Sequence, residues 1–106
     1  MNREYIERRI ESLTRALEWR GLKLADKFRT DQTDRDHELV WIVDHMVWTY
    51  HRILSGGKGE RVFALRGLMS AALSKGKLGC LPSGISDEWA HFQTTVEDFV
   101  TGRGEV

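Results

Sequence analysis

Apolar residues recur every three or four positions along most of the chain, and nowhere do they alternate with polar ones over the length of a strand. That spacing follows the 3.6-residue turn of an α-helix, whereas a half-buried strand needs a period of two. The pattern confines the chain to helices that each bury one side. Four such stretches are separated by short polar or glycine-containing segments, which predicts an all-α fold: a small four-helix bundle-like domain with long first and second helices.

In residues 3–29 the apolar positions Ile6, Ile10, Leu13, Leu17, Leu24 and Phe28 fall on one side of a single long helix. Opposite charges four residues apart, Arg3 with Glu7, Glu4 with Arg8 and Glu11 with Arg15, line its solvated flanks and add roughly 0.2–0.5 kcal/mol each. Gly21 lies inside this pattern without shifting its phase, which predicts a bend or close packing there. The polar segment Thr30 to Asp36 reads as connector and cap.

A second helix is predicted from Asp34 to Leu54, with Leu39, Val40, Val43, Met46, Val47, Tyr50, Ile53 and Leu54 as its core stripe. It stops at Ser55-Gly56-Gly57-Lys58-Gly59, where three glycines remove the steric bias that keeps a helix going. A third is predicted from Glu60 to Ser74, with Val62, Leu65, Leu68, Met69, Ala72 and Leu73 on one side and Phe63 on the other. After the Leu81-Pro82-Ser83-Gly84 turn, Ser86 is placed to cap a fourth, with Asp87 and Glu88 in the first turn at the positive end of the helix dipole. Its stripe is Trp89, Phe92, Val96 and Phe99.

The chain has 106 residues, 41% of them hydrophobic, which suits one domain over residues 1–101 with a frayed tail at 102–106. No run approaches the roughly 18 consecutive apolar residues of a membrane span, so a soluble protein is expected. The opening MNREYIERRIES is charged from its third residue and lacks the apolar centre of a secretory signal. With Cys80 as the lone cysteine, an intrachain disulfide is excluded, and a reducing, cytoplasmic location is expected.

Catalytic and metal chemistries find little support in the spacing. His37, Asp44 and His51 line one side of the second helix at seven-residue intervals, a rise of about 10.5 Å per step when ligands of one ion must all lie about 2 Å from it. Asp34 and His37 have the i, i+3 spacing of carboxylate-bridged metal bundles but lack the repeated Glu-x-x-His pairs. Glu7 with Glu11 already has arginine neighbours, and Glu38 with Asp44 diverges, so neither pair builds a magnesium cage. The glycine loop lacks the order of a phosphate loop and follows a helix where that motif follows a strand. No nucleophile and base are paired by spacing, so no enzyme activity, metal or cofactor is expected.

The aromatic residues carry the functional expectation. Trp41 and Trp48 lie within about 20° of each other around the second helix and some 140–160° from the centre of its core stripe. Either another helix of the chain covers them, or Trp41, His45, Trp48 and Arg52 form a partner-binding surface, since tryptophan and arginine dominate interface energetics. Trp19, on the flank of the first helix, fits either arrangement.

Charge is segregated although sixteen basic and sixteen acidic residues cancel. The net charge is +3 over residues 1–29, −3 over 30–55, +4 over 56–80 and −4 over 81–106. Such alternation suits charge complementarity between neighbouring helices. It also groups Lys58, Arg61, Arg66, Lys75 and Lys77 as contacts for phosphate or an acidic protein. The function expected is therefore a non-enzymatic helical protein-protein interaction module, a small regulator, adaptor or inhibitor that occludes a partner surface. Its partners are a protein of undetermined identity or a second copy of the chain. The alternative is a nucleic-acid-binding regulator using the basic third helix and the loop before it.

Overall fold

The computed structural model describes residues 3–55 and 81–100, with Val100 described by its backbone alone. The third expected helix, the five basic residues from Lys58 to Lys77, Cys80 and the C-terminal tail lie outside the described residues. The described residues are all-helical: α1 spans Arg3–Glu18, a single 3-10 turn spans Leu24–Phe28, α2 spans Asp34–Leu54 and α3 spans Ser83–Val100. Both α1 and α3 pack on α2 and on each other, and the 3-10 turn lies against α2.

The periodicity of α1 resolves as expected at its start. Ile6, Leu13 and Leu17 are fully buried, Ile10 packs against the core, and the three i, i+4 pairs form along the flanks. Its end corrects the expectation of one helix over residues 3–29. Gly21 adopts φ +72°, its N–H donates to the Glu18 carbonyl at 2.9 Å, and the Leu22 N–H donates to the Leu17 carbonyl at 2.9 Å. This pair of reverse bonds around a left-handed residue satisfies carbonyls that the last turn would leave unpaired. Leu22 and Leu17, which flank the motif, are both buried and clamp it from the apolar side. The chain then leaves the helix axis, so the residues beyond it lose their place on the α1 stripe: Leu24 is only half-buried and Phe28 is 79% exposed.

The 3-10 turn is held locally by the Asp26 carboxylate, which accepts from the Lys23 N–H at 2.8 Å. It is tied to α2 by Lys27 Nζ, which lies 3.0 Å from Asp44 Oδ1. In α2 the expected bounds hold. The Thr33 hydroxyl caps the first turn by accepting from the Asp36 N–H at 3.2 Å, and the Ser55 hydroxyl donates to the His51 carbonyl at 2.9 Å at the other end. The core stripe is buried as expected, save that Leu54 is half-buried, and it is widened by Ile42 and Thr49.

Helix α3 begins three residues before the expected cap at Ser86. Its first turn follows Pro82, whose carbonyl accepts from the Ser86 N–H at 2.8 Å. A proline at a helix start loses no internal hydrogen bond and has its φ already set. The earlier start brings Ile85 into the core and moves Glu88 out of the first turn to a buried position, 4% exposed, facing α1. Phe92 and Val96 are fully buried, with Trp89 and Phe99 at the margins. Phe92 sits at the centre, edge-on to Tyr50 of α2 at 5.5 Å and stacked with Trp89 at 5.4 Å.

Gly21 provides a direct check on the break in the first segment. A methyl group added there would meet no atom within 4 Å, so only the backbone conformation resists substitution. Gly21→Ala is expected to lower stability by about 1 kcal/mol through the left-handed geometry, read as a reduced urea midpoint with an unchanged slope. A continuous helix over residues 3–29 would instead be stabilised by the change.

Candidate interaction surface

The side of α2 opposite its core stripe carries a ladder of rings at four- and three-residue steps: His37, Trp41, His45, Trp48 and then Arg52. Helical geometry stacks side chains at these spacings on one face. Trp41 Nε1–H donates to His37 Nε2 at 2.8 Å, with the two rings edge-on at 6.1 Å. The indole N–H is donor only, so His37 accepts through Nε2 and carries its ring proton on Nδ1. His45 Nδ1 lies 2.7 Å from the Trp41 carbonyl, an acceptor, so here the ring donates through Nδ1. The Trp41 ring is thereby held between two histidines, His45 at 5.6 Å on its other side. One turn on, the Arg52 guanidinium lies over the Trp48 ring, 5.2 Å from its centroid.

The four residues expected to form a binding surface are thus brought together on one helix face. Trp41 remains 39% exposed and Trp48 48% exposed. Their rings are oriented by hydrogen bonds and a cation contact, so they are held in place while still open to solvent. Trp19, just past the end of α1, stands apart and is 92% exposed. His37 was not among the residues expected at the surface; its spacing of four from Trp41 was the available signal. Asp44, on the edge of this face, is neutralised by Lys27. Among the described residues no group of three or more His, Cys, Asp and Glu side chains is placed to hold a metal ion.

A second polar constellation crosses the α1–α3 contact. Arg9 Nη1 lies 2.8 Å from Glu88 Oε1 and 3.5 Å from Oε2, and the Glu88 side chain is 5% exposed against 24% for Arg9. The Arg9 guanidinium also lies 5.4 Å from the centroid of the Tyr5 ring, and the Tyr5 hydroxyl reaches His91 Nδ1 at 3.2 Å. Tyr50 turns its hydroxyl towards this group. That oxygen is buried and makes no hydrogen bond of good geometry, although Thr95 lies near it. Burial, reinforced by the negative charge of Glu88, pushes the Tyr50 phenol far above the ordinary tyrosine range. The sequence hid this cluster: Glu88 read as a first-turn acid, and nothing in its spacing pointed to an arginine in another helix.

The cluster joins helices; it does not present a reactive group, because the Glu88 carboxylate is already held by Arg9. Removing one partner of such a pair leaves the other charge poorly compensated, whereas removing both does not. Glu88→Leu is expected to cost about 3 kcal/mol, with Arg9→Leu/Glu88→Leu recovering most of the loss in chemical denaturation. A loss in the double variant equal to the sum of the Glu88→Leu and Arg9→Leu losses would show that the pair contributes no coupling.

Comparison with protein-family models, with curated proteins and with solved structures finds no match for this chain. The geometry of α2 therefore carries the functional reading.

Proposed function

We propose that the chain is a non-enzymatic helical module that binds another protein surface through α2, with Trp41, His45, Trp48 and Arg52 as the contact residues. One observation carries the reading: two large aromatic side chains, held in fixed orientations, stand open to solvent opposite a fully formed core stripe. Tryptophan supplies large contact area with few side-chain torsions to freeze, and an adjacent arginine adds a charged anchor. Such a face suits a regulator, adaptor or inhibitor that acts by covering part of its partner. The third amphipathic helix expected over residues 60–74, which would complete a four-helix bundle, and a cytoplasmic location belong to the same proposal.

The test is affinity capture with quantitative mass spectrometry, comparing the native chain with Trp41→Ala/Trp48→Ala. Both tryptophans are substantially exposed, so the variant should keep its helical circular dichroism and lose much less than the roughly 3–5 kcal/mol that each buried tryptophan would cost. It should also lose the bound protein. A folded variant that retains every partner would overturn the reading, and so would a variant that unfolds, because the face would then be core.

A further inference from the structure

The aromatic face of α2 has a symmetry that selects its occupant. Its first turn carries Asp34 and Asp36, its last turn His51 and Arg52, so the helix runs from an acidic end to a basic one. Trp41 and Trp48 stand seven residues apart near its middle, with His37 four positions before the first and Arg52 four positions after the second. A twofold axis crossing α2 midway between the tryptophans therefore sets Trp41 of each copy against Trp48 of the other. The same register sets Arg52 against His37, one turn from Asp34, which lies on the same side of the helix. The helix dipoles then oppose, and the charged ends complement each other.

The point where α2 would meet itself falls beside Asp44 and His45. Two uncompensated carboxylates facing each other across an axis would resist docking, but Asp44 is engaged within its own chain by Lys27 Nζ at 3.0 Å. An isologous contact needs only one patch that complements itself, and here the register pairs the tryptophans with each other and brings Arg52 within one turn of Asp34 of the other copy.

We infer that the occupant of this face is a second copy of the chain, docked with its α2 antiparallel; the inference rests on reading the face as a protein-binding surface. Self-association buries four tryptophans in one layer and places an arginine beside an acidic helix start at each end.

The experiment combines mass against concentration with directional crosslinking of the full-length chain. Light scattering of the native chain should give twice the monomer mass, falling to the monomer on dilution. Arg52→Glu, a change at a helix flank, should weaken the dimer at least about tenfold, a loss of some 1.4 kcal/mol. In a Cys80→Ser background, His37→Cys mixed with Arg52→Cys should form an intermolecular disulfide. Arg52→Cys alone should not, because the two copies of that position stand about 22 Å apart along antiparallel helices.

Self-crosslinking at Arg52→Cys and at His37→Cys would show a parallel pair and overturn the inference. A native chain that stays monomeric at every concentration would overturn it too. If Trp41→Ala/Trp48→Ala then stays folded and loses a different protein in capture, the module reading stands and only the choice of partner fails. Unfolding of that double variant removes both.

Discussion

Burial of one broad side of α2 is the constraint on which the rest of the structure depends. That side places Leu39, Val40, Val43, Met46, Tyr50 and Ile53 against α1 and α3, with the 3-10 turn packed on its edge. Because this core face is wide, including Ile42 and Thr49, two helices and a turn can share it. The same geometry fixes what is left over. Residues about half a turn away from the core stripe cannot reach it, and two of them are tryptophans. The exposed aromatic ladder is thus a consequence of where α2 is anchored, and its orientation is secured by local contacts: His37 and His45 for Trp41, Arg52 for Trp48.

Apolar burial tolerates many relative placements of α1 and α3, and the Arg9–Glu88 pair narrows them. A carboxylate 5% exposed is costly to desolvate, so the arrangement holds only where the guanidinium reaches it. The neighbouring Tyr50 hydroxyl, buried without a well-formed hydrogen bond, adds a cost and no evident gain in stability. The polar cluster therefore contributes to register more than to net stability. By fixing α3 on α1, it also fixes the Phe92 ring on which Tyr50 rests, and through Tyr50 the rotation of α2 that turns its tryptophans outward.

The sequence pattern located α2 to its ends because three signals agree there: a polar capping segment, an unbroken stripe and a glycine-rich stop. It misread the first segment because Leu17 and Leu24 are in phase whether or not the helix continues. Only the backbone of Gly21 distinguishes the cases, and its left-handed conformation is invisible to periodicity. In α3 two start signals competed, and the proline outranked the serine, which carried Glu88 from a solvated first turn into the core. The Trp41 and Trp48 face was legible because it depends on angles within one helix. The Arg9–Glu88 pair was not, because it joins residues 79 positions apart through tertiary packing alone.

Helix α2 has one side closed within its own chain and the other open in the monomer. Hydroxyl-radical footprinting of the chain at high dilution, read residue by residue by mass spectrometry, measures that contrast directly. Rapid oxidation of the exposed Trp41 and Trp48 is expected, together with protection of the fully buried Met46, Tyr50 and Phe92. Protection of both tryptophans in the dilute monomer, to the level of Phe92, would contradict it.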